Sequence, residues 1–215
     1  MAQQKKTTFY DFLVRGIGTL HYYLWWETRL FKFKVFIRDA YQLREPLRDL
    51  EVSVARPLDH EELLQFSSHL SPQEVNNRLT RGHICILVKK KGKIIFHGWI
   101  GLHKIKLRFR GKSFMLPADT AYFYDIRTDK KYRGGKVFQT FVSYARKHCL
   151  RHNILFAFTL VDPKIGLPIR SYVRLVGAHE IFLVRFRRRL GIARYSEQQI
   201  SEQEARRLSK ELRCR

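Results

Sequence analysis

The run ILFAFTLV, Ile154–Val161, limits the fold more than any other stretch of this 215-residue chain. It carries no charge and is almost wholly apolar, as expected for a short strand buried on both sides. Directly ahead of it, VFQTFVSYARKHCLRH places Val137, Phe141, Tyr144, Ala145 and Cys149 on one helical face. A one-sided helix feeding a doubly covered strand calls for a sheet with helices packed on it.

The segments on either side extend this pattern. EVSVARPL alternates up to Pro57 and reads as a first strand. DHEELLQFSSHL has helical spacing with Asp59 as its N-cap, and SPQEVNNRL restarts a helix at Ser71, Pro72 and Glu74. HICILVKKKGKIIFHGWIGLHKIKLRF reads as two strands about the KKGK turn, and ADTAYFYDIRT as the central strand. LPIRSYVRLVG is read as a short helix closed by Gly177, and AHEIFLVRFRRRLGI as a last strand. The tail after Ser196, its expected cap, is read as a solvated helix, 196–215. The predicted class is α+β: a mixed, mostly antiparallel sheet with helices on both faces. Residues 46–195 form its domain.

Residues 1–45 are read as an aromatic and basic arm. FYDFLVRGIGTLHYYLWWETRLFKFKVFIRDAY mixes rings with Arg15, Arg29, Lys32 and Lys34. Its longest uncharged stretch, Gly16–Trp26, falls short of the roughly 20 residues that span a bilayer. Two readings stay open: a segment lying in the headgroup layer with its cations on lipid phosphate, or one packed on the domain or on a second subunit, as in a homodimer. The 42 basic residues against 19 acidic give +23, which favours anionic partners. Cys85, Cys149 and Cys214 show neither zinc-ligand spacing nor a disulfide framework, so a reducing, cytoplasmic setting and no metal are expected. MAQQKKTTFYDF has no signal-peptide pattern. Peripheral contact at the inner face of a membrane remains compatible with the arm.

The chemistry concentrates at TDKKYRGGKVFQTF, residues 128–141, between the central strand and the long helix. A helix start leaves N–H groups without intrahelical partners and carries about half a positive charge. Gly134 and Gly135 let a ligand approach the backbone, while Arg133 and Lys136 add charge, the equipment for a pyrophosphate.

In this segment and in the order of elements, residues 50–192 resemble the GCN5-related N-acetyltransferase (GNAT) superfamily. Its fourth strand runs into a loop of the form (Q/R)-x-x-G-x-(G/A) and then its third helix; Tyr132, Arg133 and Gly134 match YRG in its usual wording. DPKIGLPIRSYVRLVGAHEI resembles the family's next strand-to-helix segment. Counting from Arg133, the motif's glycine falls on Lys136 and its last small residue on Phe138, with Gly135 at the variable place. These departures narrow the room for pyrophosphate or shift the loop by one residue.

The resemblance implies a V-shaped split between central strands that holds acetyl-CoA as co-substrate. Ile126, Arg127 and Thr128 would pair with its pantetheine arm; Arg133, Gly134, Gly135, Lys136, Val137 and Phe138 would meet its pyrophosphate. It also implies direct attack on the thioester by an amine or hydroxyl of a small polar or sugar-like acceptor. Asp125, in AYFYDIRT, is the candidate base if burial raises its pKa; the competing reading is an ion pair with Arg127 or a nearby lysine. Strict alternation puts Tyr124 on the opposite face, so only one of the two would face the acceptor. Tyr172 stands beside Val173, the position from which the family protonates the leaving thiolate. His97 and His103 are further candidates for the acceptor cleft. The competing account is a non-catalytic basic module that binds nucleic acid, resting on the charge and on FLVRFRRRL at 182–190, or a membrane-associated scaffold on a degenerate form of the same fold. Nucleic acid is the weaker partner, because no RRM, KH or zinc-finger signature is present.

Overall fold

A computed structural model describes residues 25–40, 49–106, 113–133, 136–162, 169, 173, 177–189 and 192–213. Its strands are β1 (Trp25–Phe36), β2 (Glu51–Val54), β3 (Ile84–Lys90), β4 (Lys93–Gly101), β5 (Lys104–Lys106), β6 (Ser113–Met115), β7 (Thr120–Thr128), β8 (Phe156–Val161), β9 (Ala178–Arg189) and β10 (Ile192–Ile200). Its α-helices are α1 (His60–Phe66), α2 (Pro72–Thr80), α3 (Lys136–Arg151) and α4 (Glu202–Arg213). Eight strands form one sheet in the order β10-β9-β1-β8-β7-β4-β3-β2, and β5 pairs with β6 apart from it. Neighbours run antiparallel except β7 and β8, which are parallel.

Local chemistry accounts for the elements read from the sequence. Lys91 and Gly92 both take positive φ, 51° and 75°, the two-residue turn that matches the twist of the β3–β4 hairpin. Ser71 caps α2, its Oγ accepting the Glu74 N–H at 3.1 Å. The α3 stripe Val137, Phe141, Ala145 and Cys149 is buried, as its spacing requires, against Phe96, Ile100 and Phe123 of the sheet. α4 adds Ala205 and Leu208 to the same face. The opposite face of β3 and β4, with Cys85, Leu87, Ile94 and Trp99, is covered by Leu63 of α1 and Val75 of α2. Helices therefore lie on both sides of a mostly antiparallel sheet.

Two stretches depart from the sequence reading. Residues 25–36, taken as part of an arm, form an interior strand between β8 and β9. Phe31, Phe33 and Val35 are buried in the main core. Lys32 and Lys34 alternate with them: Lys32 Nζ pairs with Glu197 Oε1 at 2.8 Å and lies over the Phe158 and Phe182 rings, and Lys34 pairs with Glu180 at 2.8 Å. These two cations find carboxylates and rings within the sheet, the partners the headgroup reading assigned to lipid. Residues 1–24 lie outside the described residues. The tail begins as β10 rather than as helix, and Ser201, not Ser196, caps α4 by accepting the Glu204 N–H at 3.1 Å. β10 has little apolar content of its own and takes its order from pairing with β9 along Ile192–Ile200. Among the described residues no helix is long and apolar enough to cross a membrane.

Candidate functional site

The site is organised by the way β7 changes partners along its length. Its parallel pairing with β8 runs only from Thr120↔Phe156 to Phe123↔Thr159. Beyond that point β8 stays tied to β1, through Phe31↔Val161, while β7 stays tied to β4, through His97↔Arg127 and Phe96↔Thr128. The two strands part, and from Tyr124 to Thr128 the β7 backbone has no ladder partner on its β8 side among the described residues. At the far end of β7 a single 3₁₀ turn, Lys130–Tyr132, leads toward α3.

The candidate phosphate-binding residues cluster at that end. Arg133 is exposed and its Nε donates to the Thr128 carbonyl at 3.4 Å. Lys136 opens α3 and is exposed. Val137 is buried in the core, and the Phe138 ring turns the same way, stacked on Phe141 at 6.1 Å and tilted against Phe96 at 6.5 Å. The side chains that depart from the family motif thus point to solvent and to the core. Ile126 packs on the main core and Arg127 is exposed. Gly134 and Gly135 lie outside the described residues, as does Tyr172.

On the face opposite α3, a polar cluster is buried under α1 and α2. A bulge places it there: in the β4–β7 register, His97 faces Arg127 and Trp99 faces Tyr124, so Asp125 and Ile126 share Gly98. Asp125 takes a left-handed φ of 47°. The extra residue breaks the alternation expected from sequence, and Tyr124 and Asp125 meet the same side chain. Arg78 of α2 donates from Nη1 to Asp125 Oδ2 at 2.7 Å and from Nη2 to Glu74 Oε1 at 2.6 Å. Its guanidinium lies 5.0 Å from the Tyr124 ring centroid and 4.8 Å from that of Trp99.

Asp125 also accepts from His69 Nε2, at 2.9 Å and 3.1 Å to its two oxygens, and Arg127 Nε stands 3.6 Å away. Burial alone would raise the Asp125 pKa. The hydrogen bond and charge of Arg78, with His97 and His69 behind them, outweigh it and hold the carboxyl below its ordinary range. Of the two sequence readings, the ion pair is the one observed, with Arg78 as principal partner and Arg127 at longer range. Tyr124 donates its hydroxyl to His83 Nδ1 at 2.6 Å, because His83 Nε2 is committed to the Lys104 carbonyl at 2.9 Å. Burial pushes the Tyr124 pKa up and that of His83 down.

His97 is wholly buried, its Nε2 2.5 Å from Ser67 Oγ, and burial drives its pKa down to about 4. It is a neutral, structural histidine. His103 is exposed at the start of the β5–β6 hairpin with φ 58° and stands outside the cluster; its carbonyl accepts the Leu116 N–H at 2.6 Å. Sequence reasoning missed His69, Arg78 and His83. Their pairings span 56, 47 and 41 residues, and the only local signal was a polar SSH step between two helices. Among the described residues no three His, Cys, Asp or Glu side chains gather closely enough to hold a metal ion.

No family model and no curated protein matches the sequence. Solved structures do match the fold. A GCN5-related glucosamine N-acetyltransferase region of a fungal multi-domain β-N-acetylglucosaminidase superposes with a TM-score of 0.52 at 9% identity, over 90% of this chain and 22% of that one. A GCN5-related N-acetyltransferase from Kribbella flavida gives 0.51 at 12% identity, over 74% of this chain and 58% of that one. A conserved protein of unknown function from Staphylococcus epidermidis gives 0.52 at 9%, over 92% and 66%. The chain has the GNAT fold. It spans less than two thirds of each of these three proteins. Within the GNAT fold, β7 and β8 are the parallel central strands that part, and α3 is the helix that follows the split.

Proposed function

We propose that this chain is an acyltransferase that takes an acetyl group from acetyl-CoA and passes it to an amine or hydroxyl of a small polar or sugar-like acceptor. The observation that carries the reading is the parting of β7 from β8 just short of the start of α3. The split leaves a strand edge that can pair with the amides of a pantetheine arm. The helix start beside Arg133 and Lys136 suits a pyrophosphate. The Phe138 ring, stacked into the core on Phe141, leaves that helix start to the ligand. When bound there, acetyl-CoA supplies an activated acyl group; the chain supplies orientation, charge and proton handling. A sugar-like acceptor is favoured by the buried polar cluster beside the split, and the fungal region of the same fold is named for glucosamine.

The test is a thermal-shift titration with CoA, followed by release of CoA thiol from acetyl-CoA with glucosamine as acceptor probe. A ligand at about 100 times its Kd stabilises the folded state by ~2.7 kcal/mol, which in a chain of this size raises Tm by roughly 5–10 °C. A flat CoA response combined with oligonucleotide binding that falls steeply with salt would replace this reading by the basic nucleic-acid module.

A further inference from the structure

Resting on the acyl-transfer reading, we infer that His69, from the turn between α1 and α2, is the base that takes the acceptor's proton. Asp125 is the positioning residue that orients its ring.

The argument begins with the hydrogen on the ring. Asp125 is held as a carboxylate by Arg78, so it can only accept, and both its oxygens lie within 3.1 Å of His69 Nε2. Nε2 therefore carries the hydrogen, and in the neutral ring the lone pair sits on Nδ1. Nδ1 is buried and has no hydrogen-bond partner among the described residues. A buried acceptor without a donor is costly unless something polar is meant to meet it. The place is suitable, since Asp125 lies two residues past the last β7–β8 pair, Phe123↔Thr159, beside the opening of the split. Tyr124 donates to His83. His97 also has a buried Nδ1 without a partner among the described residues, but its ring is wholly buried, its Nε2 is joined to Ser67, and it has no carboxylate hydrogen-bonded to it.

The step balances without another reactant. The acceptor nitrogen's lone pair forms the N–C bond at the thioester carbonyl, and the C–S pair leaves with sulfur as the CoA thiolate. The nitrogen's proton passes to His69 Nδ1, and the resulting imidazolium is held by Asp125. That proton then goes to the thiolate, giving the thiol and a neutral ring. The charged and titratable groups around His69 are Arg78 and Glu74 on α2, His97 on β4, and Asp125 and Arg127 on β7.

The full chain is tested as wild type and as His69→Gln, which keeps an N–H for Asp125 and so protects the fold. CoA binding by thermal shift is the control. Thiol release from acetyl-CoA is followed against pH with water alone and with glucosamine. A general base is worth at least ~100-fold, so His69→Gln should lose that much and lose the acid limb of the rate profile while still binding CoA. Independently of turnover, two-bond ¹⁵N–¹H spectra should show His69 with its hydrogen on Nε2, and Asp125→Asn should disturb that tautomer. CoA binding and transfer with His69→Gln at the wild-type rate would overturn His69 and leave the acyl-transfer reading standing. No CoA binding by wild type would overturn both. If CoA binds but neither probe reacts, the tautomer decides: a hydrogen on Nδ1 overturns the assignment, one on Nε2 supports it.

Discussion

Replacing Gly98 by alanine tests whether the central strands and α3 are packed as closely as the site requires. Gly98 lies opposite the β7 bulge, and a Cβ built on it would stand 2.6 Å from Phe141 Cε2 and 2.8 Å from Cζ. Carbon atoms in contact prefer 3.5–4.0 Å, so the ring or the strand must move by about 1 Å. The Phe141 ring has little room: it is fully buried, 4.9 Å from Phe96 and 6.1 Å from both Phe123 and Phe138. Forcing a methyl into such a core costs about 1–3 kcal/mol, which corresponds to a Tm drop of roughly 2–12 °C for a chain of this size. The sign is informative. Gly98 does not have a positive φ, so on backbone entropy alone alanine would stabilise by about 0.4–1 kcal/mol. Calorimetry on Gly98→Ala, Phe141→Leu and the double variant gives the coupling; the smaller side chain at position 141 should relieve about 1 kcal/mol or more of the cost of the added methyl. An unchanged or raised Tm in Gly98→Ala, or strictly additive changes in the double variant, would refute the packing argument. Because Phe141 belongs to α3, the same variant should also weaken CoA binding.

Two further outcomes follow from the buried polar cluster. His97 has its pKa lowered from 6.5 to about 4, so the unfolded chain binds a proton more readily across that interval. Stability should therefore fall as pH drops from about 6.5 toward 4, by ~3 kcal/mol from this group; Tm measured against pH should be flatter in His97→Gln, and an equal slope in both proteins would contradict it. Arg78→Met strips Asp125 of its main counter-charge and should cost about 3–5 kcal/mol, much of it recovered in Arg78→Met/Asp125→Asn; urea unfolding that shows no recovery would mean Arg78 acts through packing on Trp99 and Tyr124 alone.

The sequence showed the hairpin β3–β4, strand β7 and helix α3, because each carries its own period and its own stop signals: Gly92 at the turn and the apolar stripe from Val137 to Cys149. β1 was not read: Phe31, Lys32, Phe33, Lys34 and Val35 do alternate, but the density of rings and cations over the first forty residues led to an arm instead. β10 was harder to see, because an edge strand such as Arg194–Gln199 owes its conformation to β9 rather than to its own side chains. At the site, the glycine loop and its flanking cations were legible as local chemistry. The bulge was not: strict alternation separates Tyr124 from Asp125, and only the register against β4 reveals the added residue. His69 and Arg78 were invisible for a related reason, since what makes them notable is a carboxylate more than forty residues away.

The central claim is that the open edge of β7 and the start of α3 hold CoA between them. Backbone amide chemical shifts recorded during a CoA titration test it most directly. The account predicts saturable shifts concentrated at Ile126–Thr128 and at the amides from Arg133 to Phe138, with smaller changes on β2 and β10 at the sheet's edges. Shifts absent from those two segments, or confined to the basic strand β9, would contradict it.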